Sequence, residues 1–235
     1  MNPWPKVIPP LDEPTKRICD EFMEEWHKKL SGRLGFIDRF NHSFVIRNSP
    51  EDWNRTLDLG AGLGEHFATE ALSDERIENY EMVEFRANMA EGIRERFPKA
   101  KVLLADCQDR LPYSDGYFDR ILAIHVLEHL PRLPHCLEEV GRLLCKSKGK
   151  FIALIPCEGG ALYTLARRFS AQRLFERTYK LPYEVFIKRE HINVADEIIG
   201  EIRKRFLINK ISFFPFGVPL VSTNLFIGLV CSSKS

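Results

Sequence analysis

The glycine-rich segment at residues 56–64 (TLDLGAGLG) has the residue types of a ligand-binding turn. Glycines allow a tight turn and let the backbone approach a ligand without a Cβ in the way. The spacing is GxGxG, whereas a dinucleotide-binding turn has GxGxxG. The carboxylate of Asp58, just before the turn, would repel a pyrophosphate but can bind an amino group. The predicted ligand therefore carries a cationic group, and its predicted contacts are Asp58, Gly60, Ala61, Gly62 and Gly64.

Two further acidic residues follow later apolar runs. Glu84 lies 24 residues after Gly60, where an acidic side chain can accept hydrogen bonds from both hydroxyls of a ribose. Asp106 follows the next predicted strand, where it can accept a hydrogen bond from an adenine amino group. We expect the adjoining Phe85 and Cys107 to contact the same ligand. Together with the glycine turn, these acids predict a ligand that combines adenosine with a positive charge.

The elements that must position these residues alternate between strand and helix. Short apolar runs predict strands at 56–59, 80–85, 102–105, 119–126 and 150–155, with helices from about 65, at 87–97 and at 133–144. This alternation predicts a parallel sheet covered on both faces. A helix at 193–206, with Asn193 as its N-cap, precedes strands at 208–214 and 225–231. We expect these last two strands to form an antiparallel pair.

Two segments fall outside the alternation. Residues 1–50 are predicted to form an N-terminal helical cap, with an amphipathic helix at 14–30 and a less regular stretch at 31–50. The remainder, 51–235, is the predicted ligand-binding domain, and residues 158–191 are predicted to form an inserted lid. The cap could supply a wall of an acceptor pocket or only core packing. The residues considered for that wall are Trp26, His27, Arg33, Phe36, Arg39 and His42.

Residues 55–156 resemble the class I S-adenosylmethionine methyltransferases, and within them the small-molecule group called methyltransferase type 11. The residues that carry the resemblance are the glycine segment, Val83-Glu84, Ala105-Asp106-Cys107, Leu111-Pro112-Tyr113, Phe118-Asp119 and Val126-Leu127-Glu128-His129-Leu130. The resemblance implies an α/β fold with a doubly wound, seven-stranded, mostly parallel Rossmann-like sheet. The implied strand order is 3-2-1-4-5-7-6, with the last strand antiparallel. The implied cofactor is S-adenosylmethionine, bound across the first four strands, with S-adenosylhomocysteine as the product.

Three histidines are candidate catalytic groups: His125, His129 and His191. A sulfonium methyl is already activated, so transfer needs mainly an aligned nucleophile in a dry pocket, and a hydroxyl acceptor also benefits from a general base. His125 is the first choice, because it follows the fourth strand and should face the methyl group and the cofactor. His129 could equally be structural, and His191 could be a lid residue or a surface histidine. The favoured reaction is O-methylation.

A metal ion is a further alternative. His125, Glu128 and His129 resemble a metal-binding Glu-x-x-Glu-His arrangement in some quinone-ring O-methyltransferases of the same superfamily, but the first ligand differs here. Such ligands converge only if the loop turns suitably. We therefore predict no metal.

The lid is basic and rich in apolar residues. Between residues 159 and 189 lie Arg167, Arg168, Arg173, Arg177, Lys180, Lys188 and Arg189, against Glu176 and Glu184. Either these cations are solvated on a helix pair that covers the cofactor, or they bind an anionic, sugar- or lipid-linked acceptor, with peripheral membrane contact. The predicted partner is a small-molecule acceptor. The alternatives are an RNA or protein methyltransferase and a non-catalytic, cofactor-binding regulatory or partner protein.

Bulk properties narrow these choices. A formal net charge of +1 disfavours nucleic acid as a partner. The six cysteines form no CxxC pair and no regular framework, which favours a reducing compartment. No apolar run approaches the ~18 residues that a membrane span requires. We expect a cytoplasmic protein without a signal peptide, and the sequence indicates no oligomeric state.

Overall fold

The structure is a computed structural model that describes residues 4–33 and 35–234, with the side chains of residues 24–39 outside the description. The strands are β1 (Thr56–Leu59), β2 (Tyr80–Glu84), β3 (Lys101–Leu104), β4 (Arg120–Ile124), β5 (Lys150–Pro156), β6 (Phe206–Phe214) and β7 (Phe226–Ser233). The helices are α1 (Glu13–Arg33), α2 (Gly35–Asn48), α3 (Glu65–Thr69), α4 (Asp74–Glu78), α5 (Ala87–Arg96), α6 (Leu133–Leu143), α7 (Ala161–Arg167), α8 (Arg173–Tyr179), α9 (Glu184–Glu190) and α10 (Ala195–Arg205). Short 3-10 turns lie at Leu127–His129 and Val221–Thr223, and a π turn lies at Arg168–Gln172.

One seven-stranded sheet in the order β3-β2-β1-β4-β5-β7-β6 organises the chain. β7 runs antiparallel to both β5 and β6, and the pairs among β1 to β5 are parallel. The predicted strand order and the antiparallel last strand are therefore confirmed. β1 and β5 are almost wholly buried, because helices cover both faces of the sheet. The order reverses between β1 and β4, where such sheets bind ligands beyond the carboxyl ends of the strands.

Helix α2 packs directly on one face of the sheet. The sequence predicted irregular structure at 31–50, and this prediction was wrong, because Phe44 and Val45 bury themselves against Leu154 of β5 and the end of β7. Gly228 of β7 makes the approach possible, since a Cβ there would lie 2.4 Å from the Phe44 ring. The close packing of α2 brings its residues 41 and 42 over the carboxyl ends of β1 and β4.

The lid and the first helix share a small apolar core. Phe22 of α1 meets the rings of Phe175 and Phe186 edge-on, at centroid distances of 5.0 Å and 4.9 Å. In residues 158–191, α7 continues through the π turn into α8 without a break, and α9 follows as a second helical segment, in agreement with the expected helix pair. Because α1 packs on the lid, the two segments outside the strand–helix alternation cover the sheet together. The division into a cap, a lid and a cofactor domain stays a prediction.

Asn193 has a different role from the predicted one. Helix α10 begins at Ala195, and Val194 is its N-cap. Asn193 is fully buried, and its side-chain amide donates to the carbonyls of Leu127 and Leu130, each at 2.8 Å. The N-cap prediction was therefore wrong, because two unpaired carbonyls of the loop after β4 take the amide instead. Asn193 fixes that loop, which carries candidate site residues.

Candidate cofactor and acceptor site

The turn after β1 has the tight geometry that its glycines predict. Gly60 has a φ of 63°, and a Cβ there would lie 2.5 Å from Cγ2 of Val126. Gly62 has a φ of 61°, and its N–H donates to Oε2 of Glu84 at 2.9 Å. A side chain at residue 60 would therefore collide with the loop after β4. The turn forms a backbone cradle that a bulkier residue would fill.

Asp58 is buried at the floor of this cradle. Its carboxyl is 2% exposed and accepts a hydrogen bond from the Tyr80 hydroxyl at 2.9 Å. Burial raises the pKa of Asp58 to about 6, against the opposing effects of His66 and the Tyr80 hydrogen bond. A carboxylate in such a place needs a cationic partner to be ionised at low cost. The α-amino group of an adenosyl sulfonium is a partner of that kind.

Glu84 ends β2 beside the cradle. Its two oxygens accept from the backbone N–H groups of Gly62 at 2.9 Å and Arg86 at 2.8 Å, which hold the carboxylate in one orientation. Phe85, the next residue, is 71% exposed. An oriented carboxylate next to an exposed aromatic ring fits a ribose and the base attached to it.

Asp106 and Cys107 lie two and three residues beyond β3. Oδ1 of Asp106 accepts from the Gln108 backbone N–H at 2.8 Å, and its Oδ2 accepts from Arg132 at 3.1 Å. Cys107 is 7% exposed, and its sulfur lies 3.9 Å from that of Cys136. The Cys107 thiol thus faces the core, so a ligand contact at this residue would involve its backbone.

A cavity of about 340 Å³ extends from the glycine turn to the underside of the lid. Its walls include Asp58, Gly60 and Gly62 at one end and Tyr163 and Phe186 of the lid at the other. The histidines that line it are His42, His66, His125, His129 and His191. The three candidate catalytic histidines therefore share one cavity with the cofactor cradle. The side chains of Trp26, His27, Arg33, Phe36 and Arg39 lie outside the described residues.

His125 occupies a strained position directly after β4. Its φ is 54°, in the left-handed region that non-glycine residues rarely adopt. Its N–H donates to the Leu154 carbonyl at 2.9 Å. On the ring, Nε2 lies 2.9 Å from the Asn41 side-chain amide nitrogen, and Nδ1 lies 3.5 Å from Oε1 of Glu128. The backbone contact and these two ring contacts hold the imidazole at the cavity wall.

Glu128 lies behind the three histidines. It is 1% exposed, and although burial opposes ionisation, the hydrogen bond from His125 and the surrounding histidines lower its pKa. His191 places Nδ1 2.7 Å from Oε2 of Glu158, and His129 places Nδ1 3.6 Å from Oε2 of Glu190. Each of the three histidines therefore has a carboxylate within 3.6 Å of a ring nitrogen.

Several site residues had no clear signal in the sequence. Asn41 lies in a stretch that the spacing did not identify as a helix, and Tyr80 opens a strand as an ordinary buried aromatic residue. Glu158 and Glu190 lie near the two ends of the lid, a segment in which cations greatly outnumber acids. Their contacts to His191 and His129 make them site residues, and sequence spacing does not show such contacts.

The fold and the cradle define the class of protein. A sheet of this order, a glycine turn after β1, and acids within β1, at the end of β2 and after β3 make this a class I S-adenosylmethionine-dependent methyltransferase fold. The sequence profile of a family described as a methyltransferase domain matches residues 57–153. The match covers less than half of the chain and indicates a methyltransferase domain in that segment.

Relatives support the same class. A sterol 4-C-methyltransferase of Caenorhabditis elegans, strm-1, is 33% identical over 102 residues, which are 41% of this chain and 29% of that protein. The chain thus spans less than a third of that relative. An S-adenosylmethionine-dependent methyltransferase from Thermotoga maritima superposes with a TM-score of 0.63 at 22% identity, over 93% of this chain and 99% of that one. Geranyl diphosphate C-methyltransferase from Streptomyces coelicolor, crystallised with Mg²⁺, geranyl diphosphate and S-adenosylhomocysteine, gives a TM-score of 0.60 at 12% identity, over 89% and 84% of the two chains. At these identities the solved structures show the shared fold.

Within residues 4–33 and 35–234, no helix is long and apolar enough to cross a membrane.

Proposed function

We propose that this chain is an S-adenosylmethionine-dependent methyltransferase that methylates an oxygen atom of a small molecule. The observation that carries the proposal is the single cavity that joins the Asp58 cradle to the histidines beneath the lid. A cofactor in the cradle would direct its sulfonium group toward those histidines. Because α1 packs on the lid, we also propose that residues 1–50 and 158–191 together cover the acceptor side of the 51–235 domain.

The cofactor-binding residues of the proposal are Asp58, Gly60, Ala61, Gly62, Gly64, Glu84, Phe85, Asp106, Cys107 and His125. S-adenosylmethionine, when bound, supplies an activated methyl group. Asp58 would hold the amino group, and Glu84 would accept from the ribose hydroxyls in place of one of its present backbone contacts. Exclusion of water by the lid and alignment of the acceptor would supply much of the rate, since well-oriented reactants gain roughly 7–11 kcal/mol.

His125 is the proposed general base. An acceptor hydroxyl that replaces the Asn41 contact would donate its proton to Nε2 of His125. Glu128, 3.5 Å from Nδ1, would stabilise the resulting imidazolium. His129 and His191 line the same cavity and are proposed to contact the acceptor. Substitution of His125 by Asn should lower the transfer rate by roughly 10²–10⁴ with a much smaller change in cofactor affinity.

The outer surface of the lid fits contact with a membrane that would hold an apolar, anionic acceptor. Leu165 and Phe169 are 51% and 69% exposed, and α7 packs against the 3-10 turn that follows the exposed Leu220. The same loop exposes Phe216 and Val218, and Arg168 and Arg173 are exposed between the lid residues. Exposed apolar side chains among cations are the composition of an interfacial membrane surface. The relative named for a sterol and the neighbour crystallised with geranyl diphosphate support an acceptor of this apolar kind.

Vesicle co-sedimentation tests the lipid version. We expect salt-sensitive binding to anionic vesicles and weak binding to zwitterionic ones. The Phe169→Ser variant should bind roughly 10–100-fold more weakly, since burial of a Phe side chain contributes ~1.5–3 kcal/mol. The matched control is Leu207→Ser, which removes an exposed apolar residue at the far end of β6. Equal binding to neutral and anionic vesicles would refute the membrane version and leave a soluble acceptor.

Transfer itself is tested with methyl-labelled S-adenosylmethionine and cell extract. The proposal predicts base-resistant label in the organic phase, lost with His125→Asn. Label in RNA or protein would replace the small-molecule proposal, and cofactor binding without any labelled product would favour a regulatory role. All six cysteines are free thiols, which supports the proposed cytoplasmic location.

A further inference from the structure

Three metal-binding side chains converge on one wall of the cavity: Glu128, His129 and His191. One ligand atom from each lies within 4.8 Å of the other two. Glu128 and His129 belong to the 3-10 turn after β4, whereas His191 follows α9 at the end of the lid. We propose that these three residues form a binding site for a divalent transition metal ion, and that the ion connects the lid to the loop after β4.

Unpaired buried polar atoms support the site. Glu128 is 1% exposed, and among the residues that the structure describes its Oε2 has no hydrogen-bond partner. Nδ1 of His129 also lacks a hydrogen bond within that part of the chain. A buried carboxylate oxygen without a partner is costly, and roughly nine in ten buried polar groups are paired. A metal ion would give Oε2 of Glu128 a partner.

An outer carboxylate orients His191, and a second carboxylate lies near His129. Oε2 of Glu158 lies 2.7 Å from Nδ1 of His191, and Oε2 of Glu190 lies 3.6 Å from Nδ1 of His129. A carboxylate behind an imidazole fixes the ring and its tautomer, so that the other nitrogen can face a metal. Nε2 of His129 lies 3.9 Å from Oε1 of Glu128. Two carboxylate–histidine pairs from different elements therefore face one central carboxylate.

The neighbouring charges suit a dication. Arg167 forms an ion pair with Glu158 at 2.5 Å, and Arg86 forms one with Glu190 at 3.4 Å. These two cations balance the two outer carboxylates, so that the charge of Glu128 remains to attract the ion. Asn193, through its bonds to the carbonyls of Leu127 and Leu130, holds the loop that presents Glu128 and His129.

The donor set points to one class of ion. Two imidazoles and one carboxylate suit Zn²⁺, Co²⁺ or Fe²⁺, whereas Mg²⁺ and Ca²⁺ prefer oxygen ligands only. Ligand bonds of ~2.0–2.2 Å require the donors to approach each other by side-chain rotation. Three protein ligands leave a position open for an acceptor oxygen. That last role rests on the proposed methyltransferase function, whereas ion binding does not.

The site differs from the arrangement considered in the sequence. There, His125 was the first ligand of the pattern, and no metal was predicted. His125 instead has its ring between Asn41 and Glu128. The third donor is His191, which lies 62 residues further along the chain than His129 and therefore forms no local motif.

Titration of the full chain with Co²⁺ tests the proposal. The protein is stripped with a chelator, dialysed and titrated while the visible absorption of bound Co²⁺ is followed, and Zn²⁺ is then added as a competitor. We expect one Co²⁺ per chain, absorption typical of nitrogen and oxygen ligands, and displacement by Zn²⁺. His191→Ala should weaken binding at least a hundredfold, and Glu158→Gln should weaken it roughly 10–100-fold, as outer partners do.

The control variant is His135→Ala, which removes an exposed histidine of α6 outside the cavity. It should bind Co²⁺ like the wild type. Because Glu128→Gln alters a buried residue and could prevent folding, the decisive variant is His191→Ala, checked by circular dichroism. Any of three results would overturn the proposal: no stoichiometric Co²⁺ binding by folded wild type, wild-type affinity in His191→Ala, or intense near-ultraviolet bands from thiolate ligands. S-adenosylhomocysteine binding, measured separately, shows independently whether the proposed function fails.

Discussion

Protonation of Asp58 should control cofactor affinity near pH 6. The buried carboxyl has a pKa of about 6, so at pH 7 it is mostly ionised, whereas at pH 5 only about one molecule in eleven carries the charge. The amino group of the cofactor binds the ionised form. The apparent Kd is the intrinsic Kd divided by the ionised fraction, so it should rise about twofold at pH 6 and about tenfold at pH 5. The sign follows from the raised pKa: affinity is lost as pH falls through about 6.

Isothermal titration with S-adenosylhomocysteine at pH 5, 6 and 7 measures this profile. The ligand contributes little, since even the α-carboxyl and α-amino groups of peptides titrate near ~3.5 and ~7.8, outside the interval from pH 5 to pH 7. Asp58→Asn keeps the shape of the side chain without its charge, so it should bind more weakly at pH 7 and show a flat profile. A wild-type Kd that changes less than twofold between pH 7 and pH 5 would refute the reasoning. So would an unchanged slope in Asp58→Asn, because another group would then be titrating.

Three further predictions concern neighbouring residues. Tyr80→Phe removes the hydrogen bond that lowers the pKa of the cradle carboxylate, so the midpoint of the same pH profile should move upward. Gly60→Ala should abolish S-adenosylhomocysteine binding and destabilise the fold in urea by more than Gly217→Ala. Both glycines have positive φ, worth roughly 1–2 kcal/mol for an alanine, but only the first would also collide with a side chain. Glu70→Gln removes the charge that pairs with the fully buried Arg120. It should therefore lower the free energy of unfolding, measured by urea titration, by about 3–5 kcal/mol. A loss below about 1 kcal/mol would contradict this prediction.

The candidate cofactor-binding residues could be predicted from the sequence, because each is marked by its position relative to a nearby glycine or strand. Gly60 and Gly62 adjoin Asp58 in the chain, and each later acid follows a strand of its own. In a parallel sheet the carboxyl ends of all strands meet at one edge, so position along the chain translates directly into position in space. The strand order came from the resemblance, with support from the apolar pattern of the last two strands.

The surroundings of the acceptor end of the cavity could not be predicted, because they depend on contacts between residues far apart in the chain. The approach of α2 depends on Gly228, a residue 184 positions beyond the Phe44 that packs on it. Helix propensity alone did not predict α2. The packing of its apolar face supplies most of the stability of such a helix. Asn193 illustrates the same limit. It carries a preferred N-cap side chain just before a helix, yet the unpaired carbonyls of a distant loop take its amide.

The packing of the cap against the lid bears on which acceptor can enter the cavity. Because Phe22 of α1 packs against Phe175 and Phe186, any motion that opens the lid must also move α1 or break that aromatic cluster. Asn41 and His191 then reach the acceptor end of the cavity from these two covering segments. We therefore propose that residues outside 57–153 contribute to acceptor choice together with His125 and His129.

Calorimetric binding of S-adenosylmethionine and S-adenosylhomocysteine to the purified full chain tests the central claim most directly. We expect saturable binding of one ligand per chain, strongly weakened in Asp58→Ala and in Glu84→Ala while both variants remain folded. Folded wild-type protein that binds neither compound at pH 7 would contradict the account.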